Sequence, residues 1–274
     1  MTLLQVSDPH FGTEAPRVVK ALTSLSATLA PTLVVMSGDV TQRATTVQFQ
    51  AASDFLRALN APASLVVPGN HDIPLVNLAA RAFAPYSRFR EAFGNDLEPV
   101  HDDARLLVIG VNTVMPVWHQ QGAVSSRQIE RVSRRLRQAA PAQLRIVVCH
   151  HPVHVIRPED DKNLLRNSAN AVRQWVRSGV DLVLGGHIHL PYFRPLRQRF
   201  PDLPRTAWVA QAGTAVSTRI RSGIANSVNV IRPIELSKGA GCLFERWDFS
   251  DHDDAFHKIS SAELLLDRTP ASRL

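Results

Sequence analysis

The amino-acid sequence predicts an α/β protein that is built around a largely parallel sheet. Short runs of apolar and β-branched residues alternate with longer segments in which apolar residues recur at helical spacing. The start of the chain follows the order strand, helix, strand, helix, strand, at 3–7, 17–29, 33–37, 46–59 and 65–67. This order is typical of βαβ units, which bind ligands beyond the carboxyl ends of their parallel strands.

The same criteria predict further elements along the rest of the chain. A helix is expected to begin at Ser125 or Ser126, with a serine N-cap, and another helix is expected to end at Gly179. The remaining expectations are mainly helical structure over 74–103, a strand within 105–111, a loop over 118–122, strands over 144–149 and 181–184, a strand of a second sheet over 208–210, and a strand over 241–249.

Length and composition indicate one large domain. The chain has 274 residues, 45% of them apolar, which is enough to bury a substantial core. No linker-like, low-complexity or repeated segment divides it. We therefore expect one domain over 1–250 and a C-terminal tail over 251–274, where acidic and polar residues are frequent.

Charge and cysteine content restrict the class of partner. The formal net charge of +7 suits a small anionic substrate, and a nucleic acid is an alternative that we do not favour, because no aromatic residues are interleaved with a basic patch. Cys149 and Cys242 form no CxxC motif, which argues against a disulfide framework or a thiolate zinc site.

A strand begins almost at Met1, and no apolar run approaches the roughly 18 residues of a membrane span, so we expect a cytoplasmic protein. The oligomeric state stays open, with a homodimer as one alternative.

Side chains with metal-ligand chemistry follow the first three strands. Asp8 and His10 are two residues apart and therefore point to the same side of an extended chain. Asp39 follows the second strand, and Asn70 and His71 follow the third. Each strand end taken alone also fits an ordinary turn, because Gly, Asn and Asp are common turn residues. The recurrence of the pattern favours a shared site.

Two later strands repeat the pattern with histidines. The strand over 144–149 ends at His150 and His151, which point to opposite sides, so we expect only His150 to face the shared site. The strand over 181–184 leads through two glycines to His187 and His189, again two residues apart. One histidine at a strand end is commonly structural, but ligand-type side chains at five strand ends favour a metal centre.

The combined set suits two divalent cations. It offers two carboxylates, one amide oxygen and four imidazoles, and a shared carboxylate at Asp39 would leave each cation a position for water. Mixed nitrogen and oxygen ligation without thiolate favours Mn, Fe, Zn or Co over Mg or Ca. The predicted metal ligands are Asp8, His10, Asp39, Asn70, His150, His187 and His189.

The ordered motifs resemble those of the calcineurin-like metallophosphoesterase superfamily. The resemblance runs from residue 3 to about 190 and extends to about 235 through Ala212-Gly213-Thr214-Ala215 and Asn226-Ser227-x-Asn229. Within the superfamily the chain is most similar to bacterial class III cyclic-nucleotide phosphodiesterases and the related glycerophosphodiesterases. The motifs are Asp8-x-His10, Gly38-Asp39, Gly69-Asn70-His71-Asp72, the strand that ends at His150, and Gly186-His187-x-His189.

This resemblance implies a four-layer αββα sandwich with two metals at the edge of its two sheets. By position, Asp8, His10 and His189 would hold one metal and Asp39 would bridge to the other. The ligands implied for the second metal are Asn70, His150 and His187.

The implied activity is hydrolysis of a small phosphodiester, with 3′,5′-cyclic AMP as the first candidate. Besides bridging Asp39, the implied catalytic residue is His71, which would donate a proton or a strong hydrogen bond to the leaving oxygen. Asp72 would either orient that imidazole or act only structurally. The alternatives are another diester or a monoester, such as a glycerophosphodiester, a nucleotide-sugar lipid or nucleic acid, and a non-catalytic scaffold.

Overall fold

The computed structural model describes residues 1–268, without the side chain of His119. The helices are α1 (Pro16–Leu29), α2 (Thr46–Ala58), α3 (Leu78–Phe83), α4 (Ser87–Phe93), α5 (Ser126–Arg137) and α6 (Ser168–Ser178), and short 3₁₀ turns cover Asn70–Asp72, Pro158–Asn163 and Leu196–Gln198. The strands are β1 (Leu3–Val6), β2 (Leu33–Ser37), β3 (Ala63–Val67), β4 (Val100–Asp102), β5 (Leu106–Val111), β6 (Val114–Met115), β7 (Trp118–Gly122), β8 (Leu144–Cys149), β9 (Leu182–Gly185), β10 (Tyr192–Pro195), β11 (Trp208–Gln211), β12 (Ser227–Leu236), β13 (Gly239–Ser250) and β14 (Ala255–Leu265).

Two six-stranded sheets form the centre of the fold. The first has the order β14-β13-β12-β1-β2-β3, in which β1, β2 and β3 are parallel. The second has the order β10-β11-β9-β8-β5-β4, in which β11, β9, β8 and β5 are parallel. The mixed α/β architecture confirms the predicted fold class, and the strand predicted over 208–210 does belong to the second sheet.

Three apolar clusters arrange sheets and helices in four layers. Successive strand residues face opposite sides, so Val35 of β2 packs between the sheets while Met36 packs towards α1 and α2. In β8, Val148 faces the other sheet and Val147 packs against α5 and α6. The layers are therefore the helices α1, α2 and α4, the first sheet, the second sheet, and the helices α5 and α6. This is the expected αββα sandwich.

Local chemistry explains where the main helices begin and end. Pro16 occupies the first turn of α1, where its missing N–H costs no hydrogen bond. The Ser125 side chain accepts from the Gln128 amide in a capping box, so α5 begins at the predicted serine. Gly179 ends α6 in the left-handed conformation with φ 109°, as its position predicts.

The middle of the chain differs from the predicted elements in two places. Residues 74–103 contain the short helices α3 and α4 but also the edge strand β4, which pairs with β5. Residues 118–122 are not a loop but the strand β7, which pairs with β6 in a hairpin. β6 has only two residues, and β7 is mainly polar, so neither shows the apolar alternation that identifies a strand in sequence.

The C-terminal segment also differs from the predicted tail. Residues 255–265 form β14, which pairs antiparallel with β13 and buries Phe256 and Leu264. Polar residues such as Ser260 and Ser261 on the edge strand hide this pattern, because only one side of β14 packs on the protein. The predicted tail thus begins with a strand of the first sheet, and its last part, 269–274, lies outside the described residues.

Among residues 1–268, no helix has the length and apolar character that a membrane span requires.

Removal of residues 251–274 is expected to destabilise the protein strongly. The deletion exposes β13 and removes Phe256, Leu264 and Leu266, each of which contributes about 1.5–3 kcal/mol when buried. This sum is comparable with the roughly 5–15 kcal/mol that stabilises a typical domain. Thermal unfolding followed by circular dichroism should show a large fall in Tm, or no folded protein. The control deletion removes only 269–274. Equal Tm values for the two truncations would show that residues 251–268 do not stabilise the fold, as expected of a tail.

Candidate metal centre

The site lies where the carboxyl ends of five strands meet at the edge of the sandwich. Asp8 and His10 follow β1, Asp39 follows β2, and Asn70 follows β3, all in the first sheet. The second sheet contributes His150 after β8, and His187 and His189 after β9. The site therefore depends on the face-to-face packing of two sheets whose strands are far apart in sequence.

Unusual backbone conformations turn these side chains towards one another. Five of the seven predicted ligands have positive φ angles, between 44° and 76°, a region that non-glycine residues rarely adopt. Such conformations cost about 1–3 kcal/mol each and persist only where the surrounding structure imposes them. The five are Asp8, His10, Asp39, His187 and His189.

Glycines create the space that the predicted ligands occupy. Gly38 has φ 92°, and a Cβ at this position would lie 2.4 Å from His150 Nδ1. A Cβ at Gly186 would lie 2.5 Å from Asp8 Oδ2. The glycines that precede Asp39 and His187 therefore allow the two sheets to approach closely at the site.

The first group of potential ligands is formed by Asp8, His10 and His189. The Nε2 atoms of His10 and His189 are 3.1 Å apart. Asp8 Oδ1 lies 3.3 Å from His189 Nε2 and 3.9 Å from His10 Nε2. Three ligand atoms within such distances can surround one cation.

The second group is formed by Asp39, His150 and His187, with Asn70 beside it. Asp39 Oδ1 is 3.3 Å from His150 Nε2, and Asn70 Oδ1 is 3.2 Å from the same nitrogen. Asp39 Oδ2 lies 3.6 Å from His10 Nε2 of the first group. Asp39 is thus placed between the groups, where a carboxylate can contact two cations.

Hydrogen bonds to the backbone orient the imidazoles. Nδ1 of His150 donates to the Ser37 carbonyl at 2.9 Å, and Nδ1 of His189 donates to the Arg219 carbonyl at 2.6 Å. Because a carbonyl can only accept, these contacts place the proton on Nδ1 and direct Nε2 into the site. The buried Nδ1 of His187 has no hydrogen-bond partner among the described residues, a situation that a bound cation could relieve.

Burial and mutual charge set the protonation states. Burial would raise the pKa of Asp8, but the nearby His189 outweighs it and lowers the pKa to about 2. Asp39 shows the same balance, with His150 holding its pKa well below the usual value despite burial. Burial lowers the pKa of His10 to about 3, against the influence of Asp39 and Asp8. Both carboxylates are therefore anionic at neutral pH and His10 is neutral. Burial would lower the pKa of His150, but Asp39 outweighs it and raises the pKa to about 9, so a bound cation would have to displace that proton.

Asp72 and His151 lie beside the site with other contacts. The Asp72 carboxylate accepts from the backbone amides of Val40, Thr41 and Gly69 at 3.0, 2.8 and 2.8 Å. It thereby holds the loops after β2 and β3 together, which is a structural role. Nδ1 of His151 contacts Thr113 Oγ1 at 2.8 Å, and His151 belongs to neither ligand group, in line with its expected place outside them.

A family model for calcineurin-like phosphoesterases matches residues 1–191 of the chain. The chain belongs to this family. The family uses divalent metal ions. The resemblance based on the strand-end motifs is therefore confirmed.

Similar proteins in this family extend the comparison. A probable glycerophosphodiester phosphodiesterase, GpdQ, from Arcobacter nitrofigilis is 27% identical over 176 residues, which are 60% of this chain and 62% of the relative. The match thus covers less than two thirds of that relative.

Two solved structures share the fold. A dimetal phosphatase from Danio rerio has a TM-score of 0.65 at 14% identity, with 97% of this chain and 99% of that chain covered. A purple acid phosphatase, PPD1, from yellow lupin (Lupinus luteus) seeds also has a TM-score of 0.65, at 12% identity, with 96% of this chain and 53% of that chain covered.

The calcineurin-like site opens into a polar cavity of about 540 Å³. Another cavity of the same volume lies beside α2 and α4, but no predicted ligand lines it. The site cavity is lined by Asp39, Asn70, His71, Gln120, Asp160, Lys162, Asn163, His187, Ile188, His189, Arg219, Ile220 and Arg221.

Sequence reasoning missed the arginine loop of this cavity. Arg219 Nη1 lies 3.3 Å from both His71 Nε2 and His10 Nδ1. Arg221 Nη1 pairs with the buried Asp160 through both carboxylate oxygens, at 3.1 and 2.9 Å. The only sequence signal was indirect, since the segments at 212–215 and 226–229, which resemble the superfamily, flank this loop.

Replacement of Asp72 by Ala is expected to lower stability and displace Asp39. The change leaves the three backbone amides at 40, 41 and 69 without their acceptor, and each such buried donor costs about 1–3 kcal/mol. Urea unfolding should report a decrease of about 3 kcal/mol or more in the free energy of unfolding. The control is Glu91→Ala at an exposed position of α4. Equal midpoints for the two variants would contradict the structural role of Asp72.

Proposed function

We propose that the protein is a dinuclear metal-dependent phosphodiesterase that hydrolyses a small phosphodiester. The observation that carries the proposal is the pair of ligand groups with Asp39 between them, at the base of a polar cavity. Family membership supports phosphoester chemistry, and the name of the glycerophosphodiester phosphodiesterase relative supports a diester.

The donor set fits two divalent cations. Asp8, His10 and His189 would hold one, Asn70, His150 and His187 the other, and Asp39 would contact both. When bound, the two cations would lower the pKa of a shared water towards about 7 and offset the negative charge of the diester. Mn, Fe, Zn and Co all suit these nitrogen and oxygen ligands.

His71 is the proposed group for the leaving oxygen. It follows Asn70 in the 3₁₀ turn and lines the cavity, so its ring lies beside the proposed ligands. Its backbone N–H donates to Asp39 Oδ1 at 2.8 Å, which ties the position of His71 to that carboxylate. A proton or hydrogen bond from this side would stabilise the alkoxide that forms as the phosphorus–oxygen bond breaks.

Two substrate classes fit this proposal. A 3′,5′-cyclic nucleotide is the first candidate, from the resemblance to class III phosphodiesterases. A glycerophosphodiester is the second, and two observations favour it: the name of the curated relative, and a described lining that includes no Phe, Tyr or Trp on which a nucleobase could stack. The homodimer, the cytoplasmic location and the less favoured nucleic-acid partner stay predictions.

The test is turnover by purified protein loaded with Mn. The substrates are bis(p-nitrophenyl) phosphate, 3′,5′-cyclic AMP and glycerophosphocholine, and the variants are Asn70→Ala and, as a control, Asn95→Ala at an exposed loop position. Asn70→Ala should lower kcat/KM by about 100-fold or more, because even residues that only support metal ligands cost about 10–100-fold. Asn95→Ala should match the parent protein.

The outcomes separate the alternatives. Cleavage of cyclic AMP supports the first substrate class, and cleavage of glycerophosphocholine without cyclic AMP supports the second. Turnover of a monoester such as p-nitrophenyl phosphate, with none of the diesters cleaved, would replace the diester proposal. No turnover together with less than one metal equivalent by elemental analysis would favour the scaffold alternative.

A further inference from the structure

Arg219 is a cavity-lining residue that contacts the predicted metal site through both its backbone and its side chain. Its backbone carbonyl accepts from His189 Nδ1, while its side chain turns towards His71 and lines the cavity. The residue thus contacts the first ligand group through its backbone and the proposed leaving-group side through its guanidinium. No strand-end motif includes it.

The hydrogen bonds of Arg219 indicate how its guanidinium is held. Nη1 donates to Gln42 Oε1 at 2.8 Å. The backbone carbonyl of Gln42 lies 3.1 Å from His71 Nδ1, and Arg219 Nη1 lies 3.3 Å from His71 Nε2. Gln42 therefore positions both side chains, and Nη1 makes its contacts with Gln42, His10 and His71.

The remaining donors of Arg219 are directed at no protein acceptor. Within residues 1–268, every hydrogen bond of this guanidinium is made by Nη1, and Arg219 forms no ion pair. Arg221, two residues later, differs because the buried Asp160 neutralises it. Arg219 is therefore a cation with unused Nε and Nη2 donors in a cavity that we assign to an anion.

The loop that carries Arg219 is fastened on both sides. Ser217 Oγ lies 2.8 Å from Thr13 Oγ1, and the Thr218 amide donates to the Thr13 carbonyl at 2.8 Å. On the other side, the Arg221 pair with Asp160 joins the loop to the 3₁₀ turn Pro158–Asn163. A guanidinium held in this way needs little reorganisation to meet a phosphate.

We propose that Arg219 is a catalytic residue that binds an oxygen of the phosphate group through Nε and Nη2, next to His71. The inference rests on the proposed function, because it assigns the substrate phosphate to the side of the cavity that Arg219 faces. A guanidinium suits this task, since its fixed array of N–H donors matches two oxygens of a phosphate. The added positive charge would also stabilise the charge that develops on the leaving oxygen.

The test compares Arg219→Gln and Arg219→Lys with the control Arg197→Gln, all loaded with Mn. Arg197 is exposed and does not line the cavity, so its replacement removes the same charge without touching the proposed contact. The measurements are kcat/KM for bis(p-nitrophenyl) phosphate, the dissociation constant of inorganic phosphate by calorimetry, and metal content. Arg219→Gln should lower kcat/KM about 10- to 100-fold and raise the dissociation constant of phosphate by a similar factor, with metal content unchanged.

Further outcomes distinguish phosphate binding from a structural role. Arg219→Lys should recover part of the phosphate affinity, because it keeps the charge but loses the paired donors. Loss of bound metal in Arg219→Gln, or phosphate affinity equal to that of the parent, would overturn the inference. If the parent protein cleaves no diester, the proposed function fails, yet the phosphate affinities still decide the role of Arg219.

Discussion

The burial of the Asp39 carboxylate between the imidazoles of both sheets is the interaction on which the site depends. Asp39 is 2% exposed, and its oxygens face His10 from the first sheet and His150 from the second. A buried anion is costly unless cations or hydrogen-bond donors surround it. The Asp39 carboxylate is therefore stabilised only when the two sheets are packed so that both imidazoles reach it.

A buried polar network below the site reinforces this tie. Gln5 of β1 donates through Nε2 to the Gly185 carbonyl of β9 at 3.1 Å, and Gln5 Oε1 accepts from Asn229 Nδ2 at 2.9 Å. The network links β1, β9 and β12, and it crosses between the sheets at the last residue of β9 and one residue before the end of β1. Such a satisfied network favours one relative position of the two sheets, which an apolar contact alone specifies less sharply.

The cavity has a different origin from the ligand cluster. Its walls come from connections outside the central strands, namely the β6–β7 hairpin through Gln120, the 3₁₀ turn Pro158–Asn163, and the loop of Arg219 and Arg221. Loops on a rigid sandwich can change without loss of the core. The predicted ligands therefore come from the ends of the central strands, whereas the cavity walls come from the connections around them.

The side chains that the structure brings together at this edge could be selected from the sequence, because each follows a strand with a local pattern. Asp8, Asp39 and His187 each follow an apolar run within a few residues, and parallel strands bring such ends to one edge whatever the detailed packing. The same local patterns predicted the capped start of α5 and the glycine end of α6. In all these cases, a few consecutive residues carry the signal from which the element or the strand end can be predicted.

Some features could not be predicted from the sequence, because they depend on contacts between segments that are distant in the chain. The sequence left Asp72 between two roles, and only the structure shows its hydrogen bonds to the loops after β2 and β3. β14 became a strand because β13 offered it a partner, although polar residues interrupt its apolar pattern. Arg219 reached His71, 148 positions away in the sequence, only through the packing of the first sheet against its connecting loops. A side chain whose partners are that remote has no periodicity or spacing that could identify it.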